Sequence, residues 1–344
     1  MTTTTTTTTG TTTGTTTRTM RGLVQRRYGG PDALDVRDDL ARPTPGEQEV
    51  LVRVEAAGVD AGTLILLSGK PLIVRPFVGF RRPRQPIPGR ALAGVVEAVG
   101  TGVTRLRIGD EVYGEAGGAA YAEYAVVDES RLAIKPASLS FSETAAVPIS
   151  ATTALQAVRD KGGVGPGMRV AVNGASGGVG TFAVQIAAAY GAQVTGVASG
   201  AKLDLVRALG AEQVVDHTRE DFTRAAGAYD VIIDIAGTHS LRDYRRALRP
   251  GGTLVLVGGP PEKFIRRMLA VLAQKALVSE KLLLLTQRHS VDDLDVLTGM
   301  IENGRVTPAI DDVQPLDNAP VAVARLSSGR ARGKVVIRIG AAAR

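Results

Sequence analysis

Seven residues, Gly174-Ala175-Ser176-Gly177-Gly178-Val179-Gly180, carry the most chemical information in this chain. An apolar β-branched run (Val170, Ala171, Val172) leads into them, and an alanine-rich helical pattern opens directly after them. A second apolar run follows at Val194 to Val197. Strand, tight turn, helix, strand is the context a glycine-rich motif needs to bind a dinucleotide. Gly177 and Gly178 offer bare backbone to a pyrophosphate, and Gly180 lets the helix pack close to the strand. The N–H groups of Ser176 to Gly180, aided by the helix dipole, suit phosphate oxygens. Ala175 stands where the first glycine of the fingerprint is usual, a small change that such a turn accepts.

The type of dinucleotide is decided beyond the second strand. A carboxylate about 20 residues past the turn would bind a ribose 2′-hydroxyl and repel a 2′-phosphate. The chain instead reads Val197-Ala198-Ser199-Gly200-Ala201-Lys202, with no carboxylate until Asp204. Ser199 can hydrogen-bond a phosphate and Lys202 can neutralise it, so NADPH is expected over NADH. Lys202 could also be an ordinary exposed lysine at a helix start.

Metal chemistry is not expected. The chain has no cysteine, which excludes disulfides, thiolate sites and cysteine nucleophiles. Its three histidines, His217, His239 and His289, lie in or after the nucleotide segment. Catalytic zinc needs three protein ligands, usually including cysteine or histidine.

The elements that must position these residues follow from length and pattern. A chain of 344 residues, 44% hydrophobic with 41 glycines, can bury a large core and suggests two domains. No run of about 18 uncharged apolar residues marks a membrane span. The nearest stretch, Lys263 to Leu285, is interrupted by charges and predicts a helix followed by a buried strand. The net charge of +7 is dispersed, and its densest cluster, Arg81, Arg82 and Arg84, has no interleaved aromatic platform, so nucleic acid is not an expected partner. Met1 to Thr19 is nearly pure threonine, with no apolar core of a signal peptide. A disordered tail, or a start upstream of a natural one at Met20, both fit.

From Met20 to about Ser140, short apolar runs alternate with Gly/Pro punctuation, which predicts a β-rich domain. A helix is expected from Thr144 to Val158, with Pro148 as kink or boundary. Strands and helices then alternate: helix Ala201 to Leu209, strand Gln213 to Val215, strand Asp230 to Ile235, helix Ser240 to Leu248. Pro250-Gly251-Gly252 should break the chain before a strand at Thr253 to Val257. That rhythm predicts an α/β, doubly wound parallel sheet.

Several blocks, in order, resemble the medium-chain dehydrogenase/reductase superfamily, in its zinc-free quinone oxidoreductase-like branch, which includes reticulon-interacting relatives. They are GVVEAVGTGVTRLRIGDEVYG (Gly94 to Gly114), AYAEYAVV (Ala120 to Val127), NGASGGVGTFAVQIA, LGAEQVVDHTREDF (Leu209 to Phe222), LRPGGTLVLVGG and ARGKVVI (Ala331 to Ile337). The resemblance spans about Met20 to Ile339. It implies a GroES-like catalytic domain made from residues 20–141 and 288–344. A Rossmann domain of residues 142–287 would be inserted between them, behind a tail of residues 1–19. It further implies cofactor contacts at Thr153, His217 (where relatives often have tyrosine), Ala236, Gly237, Gly258, Gly259, Ala331, Gly333 and Lys334. Ligands in such sheets bind beyond the carboxyl ends of the strands, which independently favours the loops after the fourth and fifth. Where zinc relatives carry Gly-His-Glu, this chain has Gly89-Arg90-Ala91. The resemblance also implies a homodimer, with Leu282 to Leu285 as its edge, and a cytoplasmic setting.

Without a metal, hydride acceptors that are already activated fit best: quinones and α,β-unsaturated carbonyls, whose addition products are delocalised anions. The proton donor is not evident. Relatives commonly have Gly-Val-Asn where this chain has Gly58-Val59-Asp60, and the tyrosine some carry just beyond is missing. Asp60 could shape the nicotinamide end of the cleft or cap the following helix. Arg90 could donate to an oxyanion or pair with an acid. An NADPH-dependent reductase of quinones or activated double bonds is therefore the expectation. An enoyl-thioester reductase and a non-catalytic NADPH sensor or scaffold are its rivals.

Overall fold

The computed structural model describes residues 18–259, 261–274 and 278–340. The threonine-rich stretch thus falls almost wholly outside the described residues. In chain order the strands are β1 (Thr19–Gln25), β2 (Leu34–Ala41), β3 (Glu49–Val59), β4 (Ala91–Val99), β5 (Glu111–Glu115), β6 (Tyr124–Asp128), β7 (Leu132–Ile134) and β8 (Arg169–Asn173). They continue with β9 (Gln193–Ala198), β10 (Gln213–Asp216), β11 (Tyr229–Asp234), β12 (Leu248–Leu256), β13 (Lys281–Leu284), β14 (Ile310–Pro315) and β15 (Lys334–Arg338). The helices are α1 (Ala61–Ser68), the single turn α2 (Arg75–Val78), α3 (Phe141–Ala145), α4 (Pro148–Leu155), α5 (Gly178–Ala189), α6 (Leu203–Ala208), α7 (Leu241–Ala247), α8 (Pro261–Gln274), α9 (Val291–Glu302) and α10 (Ala319–Ser327).

Two large sheets, with a two-stranded one formed by β1 and β2, organise the molecule. One is six-stranded in the order β10-β9-β8-β11-β12-β13, all pairs parallel. Renumbered within the sheet this is 3-2-1-4-5-6, the dinucleotide-binding order, and its switch point lies between β8 and β11. The other is seven-stranded, β14-β15-β3-β4-β5-β7, with β6 paired to β3. Its strands come from both sides of the parallel sheet in sequence, because β15 returns to pair with β3 and β14 pairs with β15.

Local chemistry accounts for the boundaries. The expected helix from Thr144 divides: α3 starts in a capping box between Ser140 and Glu143, and Pro148 opens α4 as its first residue. After Leu155 the chain widens into a π-helical turn, Gln156–Lys161. The break expected at Pro250-Gly251-Gly252 is a bulge inside β12, not an end of the strand. Pairing with β11 jumps from Leu248 to Thr253, and Gly251 takes a φ of +74° that a β-carbon would oppose. Lys263 to Leu285 contributes α8 and then β13, with Leu282 buried. Val172, Phe182, Ile186 and Ile233 pack in one core that reaches across to Tyr113 and Val336 of the second sheet. Val50, Leu92, Val112 and Tyr121 centre a second, and Ile232, Tyr244 and Leu254 a third. Because one core is shared, the crevice between the sheets has firm walls.

Candidate functional site

The crevice is built around the turn after β8. Gly174 adopts a φ of +92°, and a β-carbon there would sit 3.2 Å from the Ala236 nitrogen, so the turns after β8 and β11 lie against each other. The Gly174 and Ala175 N–H groups donate to the Val197 carbonyl at 3.1 and 3.0 Å, which ties the turn to β9. A β-carbon on Gly180 would collide with the Gly174 carbonyl oxygen and with Ala175. Gly177 caps α5 without any side-chain partner for the helix. The first N–H groups of α5 therefore remain for a ligand. Above Gly177 the space is open, since the nearest atom to its imagined β-carbon is the Gly174 oxygen at 3.4 Å.

The terminal motif closes over this cradle from the other domain. Gly333 N–H donates to the Ser176 carbonyl at 2.9 Å, and Gly177 and Gly333 form a short parallel bridge. Gly333 has a φ of +107°, and a β-carbon would strike the Ala309 carbonyl. Lys334 runs under Gly178, whose β-carbon would meet its Cδ at 3.0 Å. Its Nζ donates to the Val59 carbonyl at 3.1 Å and the Ser150 hydroxyl at 2.9 Å, with only 2% of the residue exposed. Burial pushes this ammonium below the ordinary lysine range, and Asp60 counteracts part of that shift.

Beyond β9, Ser199 starts the short turn Gly200–Lys202. The Lys202 ammonium donates to the Ala331 carbonyl at 2.9 Å, so this lysine joins the two domains and is not merely a solvent-facing group. Burial lowers its pKa, Asp311 raises it, and Arg332 and Arg325 lower it further. Arg332 thus crowds positive charge beside Lys202, a feature invisible until the middle of the chain meets its C-terminal motif. Counting along the chain also misses Asp216. It ends β10 opposite Ala198, and a β-carbon on Gly200 would lie 2.5 Å from its Oδ2. The carboxylate is engaged, accepting from Thr218 N–H at 3.0 Å and Thr218 Oγ1 at 2.7 Å; those bonds hold it below the usual carboxylate range. His217 is exposed beside it, with its N–H on the Ala198 carbonyl at 3.0 Å.

Under the switch point lies a buried polar network that the linear motifs do not reveal. Asn173 Nδ2 donates to Asp234 Oδ1 at 2.8 Å, and the same oxygen accepts the Gly237 N–H at 3.0 Å. Arg267 pairs with Asp234 Oδ2 and donates to the Gly258 carbonyl at 3.1 Å. One arginine from α8 therefore ties the end of β11 to the loop after β12, and Asn173 extends the network to the end of β8. Ala236 and Gly237, and Gly258 and Gly259, are brought to the same crevice: a β-carbon on Gly259 would lie 3.2 Å from the Gly237 Cα. A charge run read from sequence as a solvated face would hide Arg267.

At the opposite end, Asp60 caps α1, accepting Thr63 N–H at 2.9 Å and Thr63 Oγ1 at 3.0 Å. It is buried and within electrostatic reach of Lys334. Arg90 pairs with Glu115, whose Oε2 accepts Gln287 Nε2 at 3.2 Å. The arginine is thereby committed to an acid rather than held ready for an oxyanion. Thr153 is buried in α4, and its hydroxyl donates to the Ile149 carbonyl at 2.6 Å. Tyr121 is wholly buried, donates to the Gly58 carbonyl at 3.2 Å, and is pushed up in pKa by burial and then by Asp60. The donor set does not fit zinc: the chain lacks cysteine, and among the described residues no three His, Asp or Glu side chains gather. The uncapped α5 terminus and the open space over Gly177 do fit a dinucleotide.

Comparison with known proteins agrees with this geometry. Residues 46–137 match the family described as an alcohol dehydrogenase GroES-like domain, and residues 209–337 match a zinc-binding dehydrogenase family. The chain is 31% identical to the human quinone oxidoreductase over 337 residues, covering 93% of this chain and 98% of that protein. It is 32% identical over 338 residues to the chloroplastic NADPH-dependent alkenal/one oxidoreductase of Arabidopsis thaliana, covering 93% and 80%. Among solved structures, the quinone oxidoreductase from Coxiella burnetii superposes with a TM-score of 0.84 at 27% identity, covering 94% of this chain and all of that one.

Proposed function

The chain belongs to the medium-chain dehydrogenase/reductase superfamily, in its quinone oxidoreductase-like branch, and from that premise we propose that it is an NADPH-dependent, zinc-independent reductase of quinones and α,β-unsaturated carbonyls. The observation that carries the proposal is the cradle itself: an uncapped helix start, a glycine with free space above it, and a domain junction closed by Gly333 on Ser176. Ser176 to Gly180 would hold the pyrophosphate. Ser199, Lys202, His217 and Arg332 would hold the 2′-phosphate end, with Lys202 using one proton on Ala331 and keeping two for the ligand. Thr153, Ala236, Gly237, Gly258, Gly259, Gly333 and Lys334 would line the remainder.

When bound, reduced nicotinamide supplies the hydride. The protein orients the two reactants and stabilises negative charge. Lys334 contributes a fixed, desolvated cation whose field is stronger than in water. Asp60 holds Thr63 in place with two hydrogen bonds, and its charge opposes part of the burial penalty on the Lys334 ammonium. Arg90 and Glu115 act as a brace between the cleft and Gln287. Quinones and enones need no stronger electrophilic assistance, because hydride addition gives a delocalised phenolate or enolate. A homodimer through the open edge of β13, and a cytoplasmic setting, complete the proposal.

NADPH oxidation over a small panel tests it: a benzoquinone, a naphthoquinone, an enone, an enoyl-CoA and a saturated aldehyde. Turnover with the first three and little with the aldehyde is expected. Tight NADPH binding with no turnover of any acceptor would favour a sensor instead.

A further inference from the structure

The segment joining α1 to Arg90 has no part in the cofactor cradle, yet its composition is unlike the rest of the chain. The residues between Asp60 and Glu97 include Lys70, Arg75, Arg81, Arg82, Arg84 and Arg90, and no aspartate or glutamate. Within it Leu72, Phe77 and Phe80 are 64%, 78% and 75% exposed. Large apolar side chains that open to solvent, interleaved with cations, are normally hidden in a soluble protein or meet something.

This lip is ordered by its own contacts. Arg75 stacks over the Tyr28 ring at 4.7 Å and donates to the Gly69 carbonyl at 3.2 Å. The Tyr28 hydroxyl donates to the Gly79 carbonyl, and Arg84 N–H donates to the Val78 carbonyl at 2.9 Å. Arg26, Phe80, Arg81, Arg82 and Arg84 then surround an open hollow of about 850 Å³. None of Arg81, Arg82 and Arg84 pairs with a carboxylate among the described residues; the ion pairs there belong to other arginines, such as Arg90 with Glu115. The lip leaves α1, whose cap is Asp60, and returns at Arg90, so both its ends are anchored at the cleft.

We propose that this lip docks on an anionic lipid bilayer, with Phe77, Phe80 and Leu72 entering the acyl boundary and the arginines meeting lipid phosphates, so that the cleft receives membrane-dissolved acceptors. The substrate clause rests on the reductase reading above; the docking clause does not. Charge and polarity together select this occupant. Exposed Leu72, Phe77 and Phe80 in a segment of six cations and no carboxylate are the composition of an interfacial anchor. A second copy of the chain would set like charges against each other, and a cationic rim repels a basic partner.

Flotation of the whole protein with vesicles tests the proposal, using phosphatidylcholine alone and phosphatidylcholine mixed with phosphatidylglycerol. Binding to the anionic vesicles is expected, weakened roughly hundredfold in the triple variant Arg81→Gln/Arg82→Gln/Arg84→Gln. The double variant Phe77→Ser/Phe80→Ser should lose binding even in low salt. Both variants should keep the wild-type melting temperature and wild-type turnover of a water-soluble benzoquinone. Absence of flotation, or flotation unchanged by the phenylalanine substitutions, overturns the proposal. So does a triple variant that raises the KM for an enoyl-CoA while no protein floats, because the cations would then serve a soluble anionic carrier. Wild-type benzoquinone turnover, measured alongside, separates failure of the docking from failure of the reductase reading.

Discussion

At the scale of single residues, the site is a set of charges brought together from segments far apart in the chain. Lys202 and Arg332 illustrate this, since they meet only when the chain's third quarter and its terminus come together. Lys202→Ala or Arg332→Ala should each lower kcat/KM for NADPH about tenfold, the effect of losing one charge-assisted bond of about 1.4 kcal/mol, and leave NADH nearly unchanged. Equal losses with both coenzymes would show that these cations only support structure. Lys334 makes a second prediction. Its folded-state pKa is depressed, so between that value and the ordinary lysine value of about 10.4 the unfolded chain binds more protons. Stability conferred at this site therefore rises with pH through that window. Chemical denaturation of wild type and Lys334→Met should diverge as pH rises, with wild type gaining. A difference that stays flat or reverses contradicts the assignment.

At the scale of elements, the parallel sheet was legible because its strands are apolar runs separated by glycine turns, and the fingerprint Ser176 to Gly180 sits where a strand meets a helix. What stayed hidden was pairing across long separations. Asn173, Asp234 and Arg267 have no shared motif, and Asp216 is 12 positions beyond Asp204, where counting along the chain had stopped. Arg90 and Glu115 could be weighed as a donor or an ion pair, but only adjacent strands β4 and β5 set them side by side. The turn itself offers a clean test. Gly177→Ala should leave the melting temperature within a degree or so, since nothing lies closer than 3.4 Å, yet raise the NADPH Kd at least about tenfold by filling the approach. Gly180→Ala should lower both stability and affinity, because its new carbon meets the Gly174 carbonyl. Identical behaviour of the two variants, followed by thermal melting and calorimetric titration, would contradict this division of roles.

At the scale of the whole molecule, two domains share one core and grip the crevice from both sides through Gly333, Lys334, Lys202 and Gln287. The brace at Arg90 belongs to this scale. Arg90→Ala should destabilise the fold by about 1–2 kcal/mol, less than a fully buried pair because the arginine is partly exposed, while kcat changes by no more than about threefold. A large fall in kcat at unchanged stability would instead place Arg90 against the substrate. The central claim is hydride delivery from a 2′-phosphorylated coenzyme with no ion assisting. Its most direct test is the ratio of kcat/KM for NADPH to that for NADH, measured with one naphthoquinone before and after exhaustive chelation. A ratio of at least about ten that chelation leaves unchanged is the predicted result. A ratio at or below one, or turnover abolished by chelation and restored by zinc, would contradict it.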